Sequence, residues 1–158
     1  MKNVIIYIFL SSYLLGSIDY SIGLNDKINF LGILNKSWVK EEQYGESYKF
    51  VASSFLMAGG IGYGRKYHFL KGKKFTPYIS ISGFGYYVLG IGAVGGLGVS
   101  STLGVDIDII KWKENNKLIF QFGLFSGYDI VNGQSLVLEG DGGPSFLMPS
   151  VNLKLSLK

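Results

Sequence analysis

His68 is the chain's single histidine, and with it the single side chain whose ordinary titration falls near neutral pH. Beside a serine and an acid it would act as a general base in acyl transfer. A His-x-Ser arrangement in one strand would put both groups on one face, but His68 is followed by Phe69 and Leu70. A histidine within a polar network is the reading that remains. Asp106 and Asp108 stand two positions apart, which places both carboxylates on one face of a strand, where they could hold a cation or share a proton. Lys66, Lys117 and Lys154 fall at the same depth once strands are drawn, which makes a structural ion network the better role. GGIGYG, Gly59 to Gly64, has the glycines of a nucleotide-binding loop but runs on as Arg65-Lys66-Tyr67 in a strand, without the helix such a loop needs. Asp141-Gly142-Gly143-Pro144 reads as a turn before it reads as a cation loop. The absence of cysteine removes thiolate metal sites and disulfides. No cofactor and no metal site is expected.

The elements that position these residues show most clearly in LGVSSTLGVDID, Leu97 to Asp108. Leu97, Val99, Leu103, Val105 and Ile107 share one parity, and Gly98, Ser100, Thr102, Gly104, Asp106 and Asp108 the other. That is the period of a strand. Its second face holds tiny residues where a water-facing surface would collect Lys, Glu and Arg. The whole chain shares this bias: charged residues are 16% of 158, against about a quarter in an average soluble domain, and mean hydropathy is +0.28. The length suits one domain. The 23 glycines follow no G-X-Y repeat and are interleaved with Tyr and Phe, so collagen and linker readings fail. Net charge is +4, but the lysines come in short groups without an arginine stripe among stacking aromatics, which argues against nucleic acid.

Met1-Lys2-Asn3 followed by the apolar run Val4 to Gly16 reads as a secretory signal peptide over 1–17, cleaved after Gly16 or Ser17; a retained anchor helix is the other reading. After it, eight strands follow. Ile18 to Leu24 alternates with Ile18, Tyr20, Ile22 and Leu24 on one face. A second strand covers Ile28 to Val39 with mixed parity, and Lys40 to Glu46 is a polar loop. Residues 48–57 fit a strand or a helical face. Ile61 to Phe69 is a strand ending at the turn Lys71-Gly72-Lys73-Lys74. In Phe75 to Val88 the apolar parity changes between Ile81 and Phe84, which predicts a bulge near Gly83. Leu89 to Gly95 connects to the Leu97 strand, Lys111 to Asn116 turns into Leu118 to Leu124, and Ile130 to Ser145 is a long loop before Leu147 to Leu157. No helix intervenes, so sequential antiparallel hairpins follow, and closure into an up-and-down barrel removes two hydrophobic edges.

A soluble barrel puts its apolar face inward. Here the face opposite the aliphatics is too poor in charge to meet water, whereas the bore of an eight-stranded barrel has room only for modest side chains. The aliphatics then point outward and need a hydrocarbon solvent, in which a closed barrel satisfies all its backbone groups. Strands of about nine to eleven residues match a bilayer, and Tyr67, Phe69, Tyr78, Tyr86, Tyr87 and Tyr128 near strand ends would form aromatic girdles.

In this pattern, over roughly residues 18–157, the chain resembles the small outer-membrane β-barrels of the OmpX and OmpW type. It departs from them at its end, Leu157-Lys158, where those proteins finish on an aromatic residue read by the insertion machinery. The resemblance implies an all-β, eight-stranded antiparallel up-and-down transmembrane β-barrel over 18–158 in a Gram-negative outer membrane. It further implies contact with outer-membrane lipid, lipopolysaccharide and the insertion machinery, a monomeric, porin-like architecture, and both termini on the periplasmic side. By parity Asp19, Lys66, His68, Asp106, Asp108, Lys117, Gln121 and Lys154 face the lumen near that side as a charged plug. Closure makes Asp19 and Lys154 neighbours across the seam. Gly62, Gly98, Ser100, Gly123 and Gly127 would line a shallow cup above. Arg65 faces outward by parity, either snorkelling toward headgroups below Tyr67 or marking a register slip. The expected function is non-enzymatic, envelope-structural or ligand-binding through the loops. The alternatives are a lipid A deacylase-like barrel enzyme and a secreted soluble barrel for an apolar ligand. A wide pore is disfavoured.

Overall fold

The computed structural model describes residues 17–24, 33–54, 58–89, 93–112, 116–131, 133–135 and 148–157. Residues 1–16 of the leader expected over 1–17, and residues 136–147, on which the turn expected at Asp141 falls, lie outside them. The strands are β1 (Ser17–Leu24), β2 (Ile33–Glu42), β3 (Gly45–Ser54), β4 (Ala58–His68), β5 (Phe75–Leu89), β6 (Ala93–Trp112), β7 (Asn116–Asp129), the two-residue β8 (Gln134–Ser135) and β9 (Met148–Leu157). Each long strand pairs antiparallel with its chain neighbour, β7 pairs with β9, and β9 returns to β1. The result is an eight-stranded closed barrel, with β8 laid along the end of β7. Closure leaves no long strand with a free edge, which an amphipathic sheet of this length would otherwise expose.

Alternation decides the two faces. Ile61, Ile81, Leu97, Leu103 and Phe122 stand on the outer wall, Leu103 with 60% of its surface exposed and Ile61 with 65%. Ser37, Ser80, Thr102, Ser150 and Asn152 are buried inside. The barrel is therefore apolar outside and polar within.

The bore is not uniform. Toward the end away from the termini it is filled by Phe50, Ala52 and Phe84, with Tyr86 against them, and Val39 and Tyr48 extend the same cluster. Glycines on neighbouring strands make the room. A Cβ on Gly62 would lie 2.5 Å from the Phe50 ring, on Gly64 2.5 Å from the Tyr48 ring, and on Gly104 2.9 Å from the Tyr78 ring. This corrects the shallow cup. Of the expected cup lining, Gly62 is the partner of an inward aromatic, Gly123 lies against the β6 backbone and Ser100 bonds Ser82, so that space is taken up.

The same packing corrects the bulge at Gly83. β5 runs through Gly83 in unbroken register with β4 and with β6. Ile79 and Ile81 stay on the outer wall while Phe84 and Tyr86 turn inward, so the change of parity reflects what fills the bore. The register shift lies at Asp108/Ile110, between β6 and β7. Tyr78 and Tyr86 are likewise inside and belong to no outer girdle, whereas Tyr67, Phe69, Tyr87 and Tyr128 are exposed.

Several boundaries also move. Residues 45–54 are strand, which settles the choice left at 48–57 for all but 55–57. Lys40 to Glu46 is no loop: Glu42 pairs with Gly45 across the two-residue turn Gln43–Tyr44. Its polarity belongs to strand ends that outrun the apolar belt. The second strand starts at Ile33, with 25–32 outside the described residues, and runs on to Glu42. β5 and β6 extend through Leu89 and from Ala93, so the connection shrinks to 90–92. Lys111 and Trp112 still pair with β7, through Lys117 and Asn116.

Candidate functional site: a charged network across the bore

Inward parity places Asp19 on β1, Glu46 on β3, Lys66 and His68 on β4, Asp106 and Asp108 on β6, Lys117 and Gln121 on β7, and Asn152 and Lys154 on β9. All belong to the strand portions nearer the termini. The closing register sets Ser21 opposite Lys154 and Asp19 opposite Ser156, and the Lys154 Nζ lies 3.0 Å from Asp19 Oδ2. It also lies 3.5 Å from Glu46 Oε1. One ammonium thus ties β9 to β1 and β3.

A second centre adjoins it. Lys66 Nζ is 2.5 Å from Asp106 Oδ2 and donates to it, while standing 3.7 Å from the centroid of the Tyr78 ring. That contact adds a cation–π attraction in a desolvated place. Gln121 Nε2 donates to Asp106 Oδ1 at 2.8 Å, and Asn152 Nδ2 donates to Gln121 Oε1 at 2.6 Å. The chain Asn152, Gln121, Asp106, Lys66 crosses four strands, and each donor faces an acceptor. His68 Nε2 approaches Asp106 Oδ2 at 3.5 Å, and neither ring nitrogen has a hydrogen-bond partner.

Six of the eight residues read from the sequence therefore meet in two neighbouring ion clusters or in their hydrogen-bond chain. Lys117 and Asp108 form a separate pair at 3.2 Å, about one-third exposed at the end of the bore, and of the other six all but His68 are deeply buried: Asp19, Lys66, Asp106, Gln121 and Lys154. Glu46 was missed because it was assigned to a loop; the strand parity running back from Tyr48 and Phe50 carries the signal. Asp129 was missed too. It is buried at the far end of β7, where it accepts from the Tyr86 hydroxyl and from the Val131 N–H at 2.9 Å.

Arg65 keeps its outward register and reaches Glu42 Oε1 at 3.9 Å, toward the strand ends. No register slip occurs between β4 and its neighbours. Outward Lys36 stands over Tyr20 and Trp38, 5.7 and 5.2 Å from their ring centroids.

Chemically, the network cross-braces the wall and blocks the bore with paired charge. Among the described residues no serine hydroxyl is hydrogen-bonded to His68. No family model, curated protein or solved structure matches the chain.

Proposed function

We propose that the chain is a non-enzymatic outer-membrane β-barrel of the small OmpX- and OmpW-like kind, contributing to the envelope as a closed structural element or through ligands held by its loops. One observation carries the reading: the closed wall turns Ile61, Ile81, Leu97, Leu103 and Phe122 outward while Asp19, Asn35, Lys66, Asp106 and Lys154 are buried inside. Water would disfavour that distribution, and hydrocarbon favours it. Exposed Tyr67, Tyr87 and Tyr128 toward the strand ends agree with interfacial girdles. The leader read over 1–17 supplies a route out of the cytoplasm. A bore filled by Phe50, Phe84 and the ion clusters favours a closed element over a conducting one.

The deacylase alternative requires a serine–histidine contact that His68 does not make. A soluble barrel for apolar ligands requires an apolar bore. Membrane fractionation, with gel mobility compared before and after boiling, tests the proposal. It expects the mature chain in the outer-membrane fraction, migrating differently when unboiled. A monodisperse chain in the soluble fraction without detergent would end it.

A further inference from the structure

The barrel opens at the end that carries the termini into a cavity of about 450 Å³, within the size range of small-molecule sites. Its wall is rich in lysine. Lys71, Lys73 and Lys74 enter from the turn between β4 and β5, Lys111 from the end of β6 and Lys117 from the start of β7, and the Lys74 carbonyl accepts the Asp108 N–H at 3.1 Å, so that these cations share one arc of the mouth. Four carboxylates share the lining, but three are already committed: Glu46 to Lys154, Asp106 to Lys66 and Asp108 to Lys117. Glu41 is the fourth. Lys71 spends its ammonium on the Glu42 carbonyl at 3.1 Å, which pins the turn beside the hairpin and neutralises no charge. Among the described residues, Lys73, Lys74 and Lys111 enter no ion pair.

A second observation points to the same place. The His68 ring lines the inner part of this cavity, nine-tenths buried, with neither nitrogen hydrogen-bonded. A buried imidazole is normally satisfied. Here the ring stands in the wall of the space that the lysines line, its Nε2 3.5 Å from Asp106 Oδ2.

We propose that this vestibule binds a compact anion carrying more than one phosphate group. Lys73, Lys74 and Lys111 receive the phosphates at the rim, Lys117 stands beside them, and the His68 ring with Asp106 closes the floor. Three ammoniums without an ion-pair partner along one arc of the mouth favour a multivalent anion over a single phosphate, because several linked phosphates can engage all three at once. The inference goes beyond the envelope reading and does not depend on it, since the cavity faces water whatever surrounds the wall.

The test titrates inorganic tripolyphosphate into the full mature chain in zwitterionic micelles by calorimetry. Two charge-matched variants accompany it: K73Q/K74Q/K111Q at the vestibule, and K36Q/K40Q/K49Q on the outer wall. Both leave the buried clusters intact, and a retained β-sheet circular dichroism spectrum verifies their folding. Saturable binding is expected, weakened at least about tenfold by the vestibule variant and less than about twofold by the outer-wall variant. Phosphatidylglycerol vesicles, set against phosphatidylcholine vesicles, identify the source of the phosphate: competition assigns the seat to lipid headgroups, and its absence to a soluble phosphorylated compound. No saturable binding, or equal weakening by the two variants, would overturn the proposal.

Discussion

Replacing Lys154 with Met removes the cation on which the closing seam depends. Lys154 and Asp19 are 4% and 2% exposed, and the ammonium serves Asp19 at 3.0 Å and Glu46 at 3.5 Å. After the substitution two carboxylates remain inside the bore, and the nearest other buried ammonium, Lys66, is held by Asp106. Breaking a buried pair from one side costs about 3–5 kcal/mol, most of it the penalty of the stranded charge. With a urea slope of about 1–3 kcal/mol/M, a loss of that size lowers the unfolding midpoint by more than about 1 M. Gel mobility across a urea series reads the folded fraction. The partner variant Asp19→Asn costs less, because Lys154 retains Glu46. The pair Asp19→Asn with Lys154→Met then recovers part of the loss, giving a coupling energy of about 1–3 kcal/mol. A Lys154→Met cost below about 1 kcal/mol, or strictly additive variants, would refute the reasoning that this ion cluster stabilises closure.

Three further outcomes follow from the same structure. Gly123→Ala places a Cβ 2.5 Å from the Leu103 carbonyl oxygen, which is backbone and has little room to yield, and destabilises by about 1–3 kcal/mol in the same urea series; Gly83→Ala, whose Cβ meets nothing closer than 4.0 Å, stays within about 0.5 kcal/mol of the parent. Leu103→Arg, halfway along the outer wall, costs about 2–4 kcal/mol if that wall meets lipid and close to nothing if it meets water, so refolding stability in vesicles separates the two solvents. Tyr86→Phe takes the phenol donor from the buried Asp129 carboxylate and lowers stability by about 1–3 kcal/mol, with faster amide exchange expected where β7 meets β8.

Much of the wall is legible because alternation is strict where one face meets the bore. Leu97 to Asp108 and Val151 to Leu157 read correctly residue by residue, and two such strands were enough to set Asp19 beside Lys154. What failed was reading small residues as open space. A glycine in one strand reports on the side chain of the next strand, as Gly62 does for Phe50 and Gly64 for Tyr48, and a single strand's periodicity holds no record of its neighbour. The supposed bulge at Gly83 arose the same way: inward Phe84 and Tyr86 broke an expectation about residue type while the backbone stayed regular. Glu46 escaped notice because charge near a strand end looks like loop composition, although its parity with Tyr48 and Phe50 was there to be used.

The two halves of the bore solve one problem by different means. A bore this narrow is filled largely by side chains, so its inward groups satisfy one another wherever they meet. Toward one end, rings fill notches left by glycines, and the cohesion is dispersion and apolar burial. Toward the termini, Asp19, Glu46, Lys66, Asp106 and Lys154 fill a comparable cross-section with groups that tolerate burial only in company. The ion clusters gain less stability than an apolar filling would, but they hold charge at fixed positions beneath the vestibule. Those commitments matter for the rim above: with Glu46, Asp106 and Asp108 each held by a lysine, the charges of Lys73, Lys74 and Lys111 stay available to an incoming anion. A bore filled with phenylalanine throughout would close the barrel equally well, and the vestibule would lose the imidazole at its floor.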